Sequence, residues 1–92
     1  MTDTALLAEI ERALARITPL AEQHWDQAVS IQRQLLWCRG CLTGQVPEER
    51  PGPFSMGLIA VREFDMYGND PELASLINRI QDAMNRKLGE PD

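Results

Sequence analysis

Apolar residues recur every three or four positions through four stretches of the chain, the spacing that lines one face of an α-helix. The first stripe is Leu6 (or Leu7), Ile10, Leu14, Ile17 and Ala21. Asp3 or Thr4 stands where a side chain could cap the exposed N–H groups of the first turn. Pro19 falls inside this stripe. Thr18-Pro19 could open a new helix, since proline is pre-organised for the first helical position. Because the stripe continues across it, the pattern favours one helix kinked at Pro19, with the break near Gln23-His24. A second stripe, Ala28, Ile31, Leu35, Cys38 and Leu42, is widened by Val29 and Leu36, and Gly44 is its natural stop.

Residues 45–53 hold three prolines and the adjacent pair Glu48-Glu49, and read as a loop. Leu58-Ile59-Ala60-Val61 alone could be a buried strand. Helix is preferred because Gly57, Ala60, Val61 and Phe64 fall on one face, with small residues that let another helix approach. Gly68-Asn69 ends that helix. Asp70 then caps a last helix, with Pro71 at its first position and Glu72 beside the positive end of the dipole. Leu73, Leu76 (with Ile77), Ile80, Met84 (with Ala83) and Leu88 make its stripe, closed by Gly89. The expectation is an all-α, compact bundle of about four helices, near 3–23, 25–43, 54–67 and 70–88, in a single domain spanning 1–92.

Length and charge narrow the function. A chain of 92 residues supports one core but no deep private active site. Its net charge of −5 argues against nucleic acid or an anionic membrane as partner and suits a basic one. The acidic start, Met1-Thr2-Asp3-Thr4, lacks the basic and apolar regions of a secretion signal. The longest apolar run, 57–61, is far below the ~20 residues that span a bilayer. The expected location is cytoplasmic.

Candidate chemistry is thin. Cys38-Arg39-Gly40-Cys41 has the spacing of a dithiol redox site, but sits in the last turns of a helix, where the dipole opposes a thiolate. Zinc would need two further ligands, and His24 is the chain's one histidine. The cysteines read as small core residues, with a redox enzyme built on Cys38 and Cys41 as the competing possibility. His24, at a helix junction, suits capping or exposure, because no nucleophile or orienting partner is evident for a general base. Glu48-Glu49 read as solvated loop residues. No Gly-rich phosphate loop follows a strand, so no cofactor and no metal is expected. Trp25 and Trp37 are read as core, with an interface anchor as the alternative. On the third helix, the face opposite Gly57 carries Ile59, Arg62, Glu63 and Met66. That mixture fits either a protein interface or the edge of a sandwiched helix.

One block of sequence carries more than its spacing. Ser55-Met56-Gly57-Leu58-Ile59-Ala60-Val61-Arg62-Glu63-Phe64-Asp65, followed by Asp70-Pro71-Glu72-Leu73, resembles a family of small helical immunity proteins of bacterial type VI secretion systems. Its best-known members neutralise an NAD(P)+ glycohydrolase toxin. Gln34-Leu35, Trp37, Arg39 and Leu42 are similar to the family's second helix, and Glu11-Arg12-Ala13-Leu14-Ala15 to its first. Met66-Tyr67-Gly68-Asn69 makes a longer connection than the family's, the proline-rich loop differs, and similarity fades after Leu76.

The resemblance implies a non-catalytic inhibitor that binds a cognate secreted toxin and occludes its active site. The toxin-binding residues it points to are Glu63, Asp65, Asp70 and Glu72, with Arg62, Ile59 and Met66 beside them. For Asp70 a helix cap is the stronger competing role. Two alternatives stand beside this reading. One is immunity to a different nucleotide-modifying toxin, such as an alarmone synthetase; the other is a helical adaptor or regulatory protein.

Overall fold

A computed structural model describes residues 2–45, 54–66 and 70–89, with backbone alone at 65 and 66. Four helices, and no strand, occur among these residues: α1 (Asp3–Glu22), α2 (Asp26–Thr43), α3 (Met56–Ala60) and α4 (Pro71–Lys87). A π-helical segment, Val61–Met66, continues α3 without a break. The Cα radius of gyration is 12.3 Å, close to the ~12 Å of a compact chain this long.

Each stripe turns inward. Leu6, Ile10, Ala13, Leu14, Ile17 and Ala21 of α1 are buried, as are Ala28, Ile31, Leu35 and Cys38 of α2. Met56, Ala60 and Phe64 come from the third stretch, and Leu73, Leu76, Ile77, Ile80 and Met84 from α4. Polar links fix how the helices run. Arg39 of α2 reaches Glu11 at 3.3 Å, and Gln32 donates to Thr18 at 3.4 Å, so α1 and α2 are antiparallel. Lys87–Asp3, Arg79–Glu9 and Arg16–Asp70 join α4 to α1. The α4 partner moves back along its helix as the α1 partner moves forward, so this pair is antiparallel too. Exposed ion pairs of this kind are worth at most ~1 kcal/mol each, and they record the register more than they create it.

Some local details follow the sequence pattern and others depart from it. The cap of α1 is Thr2, whose Oγ1 accepts from Ala5 N at 3.1 Å; Asp3 is already helical and pairs with Lys87 instead. As the unbroken stripe led one to expect, α1 runs through Pro19 to Glu22, and the chain turns at His24, a non-glycine residue with φ +62°. Val29 and Leu36 do not widen the buried stripe of α2; both point outward, because α1 and α3 cover only its opposite side. Val61 is half-buried rather than central to its face. The third helix is α-helical for five residues and then widens. Spacings of three and four cannot distinguish the two windings over so short a stretch, where packing decides. Trp37 is buried edge-on to Phe54, with ring centroids 6.0 Å apart. Cys38 is fully buried and Cys41 half-buried, near the end of α2, and they do not form a disulfide.

Candidate functional site

The segment that carries the family likeness is built from two clamps and a cap. The first clamp is Gln34, the buried polar side chain among the described residues. Its Oε1 accepts from Ser55 N at 3.0 Å and Met56 N at 2.9 Å, and its Nε2 donates to Ser30 Oγ and Ser55 Oγ. A primary amide has two donors and two acceptor lone pairs, and all four are used. Gln34 thereby satisfies backbone N–H groups at the start of α3 that the helix cannot satisfy itself. The signal was present in the sequence: a polar residue between Ile31 and Cys38 on the buried face of α2 must find partners.

The second clamp holds Gly57. Its N–H donates to Gln81 Oε1 at 2.8 Å, and its carbonyl accepts from Asn78 Nδ2 at 3.2 Å. A Cβ at this position would lie 2.6 Å from Asn78 Oδ1 and 3.0 Å from Gln81 Oε1. The missing side chain therefore lets α3 sit directly on α4. The cap is Asp70, whose Oδ1 accepts from Leu73 N at 3.1 Å while Oδ2 faces Arg16. Its own N–H donates to Phe64 O at 2.8 Å, which ties the π segment to the start of α4.

The residues expected to form a binding face separate on this frame. Arg62 is exposed and contacts the less exposed Glu63, Nε to Oε1, at 3.4 Å. Ile59 is partly buried against the core. Glu72 is exposed in the first turn of α4. The side chains of Asp65 and Met66 lie outside the described residues, as do the Glu48-Glu49 pair and the Tyr67–Asn69 part of the connection. Sequence spacing passed over Leu58, a large apolar side chain left 69% exposed one residue before Ile59. It sits a quarter turn from Gly57 on an α-helix, so the stripe could have placed it outside.

A groove of about 390 Å³ lies beside this segment. Ala15, Arg16, Pro19 and Leu20 of α1 form one wall; Trp25, Phe64, Asp70 and Leu73 form the rest. Trp25 meets Phe64 edge-on with centroids 5.6 Å apart. A second depression, about 480 Å³, lies between Asp3 and Leu6 of α1 and the Arg79–Lys87 end of α4. Its Lys87 and Arg79 are engaged by carboxylates of α1.

No grouping of three or more His, Cys, Asp or Glu side chains able to hold a metal occurs among the described residues. His24 is exposed. No described helix is long and apolar enough to cross a membrane. What the described surface offers is charge, an apolar groove and a motif held at both ends, which is material for recognition.

No match was found among curated proteins or among solved structures. The sequence profile of the Tsi6 family, in contrast, matches residues 5–86, extending past Leu76, where the likeness read from motifs had faded. The match spans all four helices and both clamps, and the chain belongs to the Tsi6 family of type VI secretion immunity proteins.

Proposed function

We propose that the protein binds a cognate type VI toxin that consumes NAD(P)+ and covers the toxin's substrate cleft, with no catalysis of its own. Family membership over residues 5–86 carries the reading. The Ser55-to-Asp65 block supports the choice of toxin, since it resembles the members that neutralise an NAD(P)+ glycohydrolase. Charge supports it as well: clefts that bind nucleotide phosphates are basic as a rule, and this chain carries −5. The chain acts as one helical immunity domain in the cytoplasm, where such a toxin finds its substrate. Contacts are made by Glu63, Asp65 and Glu72, with Arg62, Ile59 and Met66; Asp70 joins them while also capping α4.

A standard interface needs roughly 800 Å² from each partner. Helix faces held by Gln34 and Gly57 can provide such a surface with little ordering on binding. The test uses purified protein and its cognate toxin. NAD+ turnover should stop at about one equivalent, and Glu63→Lys with Asp65→Lys should weaken the complex by more than ~2 kcal/mol while the helical spectrum is kept. Continued NAD+ turnover in excess protein would sink the proposed mode of inhibition. A cognate toxin that makes alarmones instead would move the target and leave immunity standing.

A further inference from the structure

The groove between α1, Trp25 and the start of α4 has a composition that defines its occupant. Its apolar lining is Ala15, Pro19, Leu20, Trp25, Phe64 and Leu73. Ala15 and Pro19 are exposed, and Trp25 and Leu20 are half-buried, so the feature opens along the surface. At about 390 Å³ it lies near the small end of ligand-sized cavities and can take one or two side chains. A small molecule there would leave much of its surface in water, whereas a side chain projecting from a protein surface would be covered by its own chain.

Charge bears on the occupant as well. Arg16 is the one cation of the lining, and Asp70 already engages it. Asp26 and Glu72, which respectively follow Trp25 and precede Leu73 in the sequence, are exposed. The lining is thus aromatic and aliphatic with its one cation already paired, on a chain of net charge −5, and it adjoins the segment expected to meet the toxin.

We infer that this groove is the anchor site of the complex, receiving an aromatic or large aliphatic side chain carried on a Lys/Arg-bearing segment of the toxin. The inference rests on the immunity reading and adds the place and chemistry of the contact. Anchors of this type dominate interfaces because they are desolvated in a fitted pocket while the polar rim excludes water. Pre-organisation adds to this: Trp25 is braced by Phe64, and Phe64 O is bonded to Asp70 N.

Two substitutions at exposed Ala15 test it. Ala15→Trp fills the groove with bulk, and Ala15→Lys places a cation at its mouth. Neither disturbs the core, and both residues are tolerated in helices. Each should raise the Kd for the toxin at least tenfold without changing the helical spectrum or denaturation midpoint. Val29→Ser, on the outer face of α2, should stay within twofold of the parent. If wild-type protein neither binds nor inhibits the toxin, the immunity reading itself fails. If wild-type binds and both Ala15 variants fold and bind within twofold, the groove is not the anchor and immunity stands. A free protein that sediments as a dimer, and that Ala15→Trp makes monomeric with toxin affinity unchanged, would assign the groove to self-contact and overturn the inference.

Discussion

Gln34 shows how a single amide can position a functional segment. It spends both acceptor lone pairs on the N–H groups of Ser55 and Met56, which sit 21 and 22 residues away in the chain. Gln34→Ala would strand those donors at a buried helix start, a cost of about 2–3 kcal/mol. Gln34→Leu should do no better, although it restores the volume, because the loss is polar. Urea unfolding measures both; a loss below ~0.5 kcal/mol in either would show that water or a backbone shift replaces the amide. Gly57 works by the opposite means, the absence of an atom. The sequence announced its role as a small residue for close approach, but could not name Asn78 and Gln81 as the groups that use the space. Those two occupy half-buried positions on the flank of the α4 stripe, where polarity alone reads as solvation.

Among the elements, helix identity and buried faces were legible because period and burial coincide: Ile10, Ile17, Ile31, Leu35, Ile77 and Ile80 all end up fully buried. Terminal details were less so. Thr2, Asp3 and Thr4 are all competent caps by residue type; in the structure Thr2 caps, and Asp3, already helical, pairs with Lys87. The π winding at Val61–Met66 was illegible too: within it Phe64 meets Trp25 and its carbonyl accepts from Asp70 N, contacts outside the segment that no local pattern names. Pro19 gives the element-scale prediction. It lies within α1 and cannot donate to the carbonyl of the preceding turn. Pro19→Ala restores that donor and improves helix propensity, but the unfolded chain regains freedom. A net stabilisation of about 1–2 kcal/mol should appear as a higher denaturation midpoint. An unchanged or lower midpoint would mean that the helix has already adapted to the ring at no cost.

At the scale of the whole molecule, sign of charge was legible and its placement was not. Composition gives an acidic protein, and the motif names the carboxylates expected to make contact. The structure then showed Asp70 occupied by Arg16 and Leu73 N, Glu63 beside Arg62, and Glu72 open to solvent. The groove drew residues from three separate parts of the chain, so no local pattern could reveal it. Because −5 is a property of the whole surface, its effect should fall on encounter more than on the bound state. The association rate with a basic toxin should drop by tenfold or more between low and physiological salt, with dissociation changing far less; stopped-flow mixing separates the two. A flat association rate would leave no role for long-range attraction.

The pairing of Lys87 with Asp3 at 3.0 Å has a topological consequence. Positions 84 residues apart in the chain are neighbours in space, so the order in which the helices are strung together is not dictated by how they pack. A short Gly/Ser linker from Gly89 to Thr2, with new ends opened between Gln45 and Phe54, would give a circular permutant in the order α3, α4, α1, α2. It should regain the parental helical spectrum. In that rewired chain α2 and α3 would no longer be consecutive, and the amide of Gln34 would take over part of the task that the peptide backbone now performs.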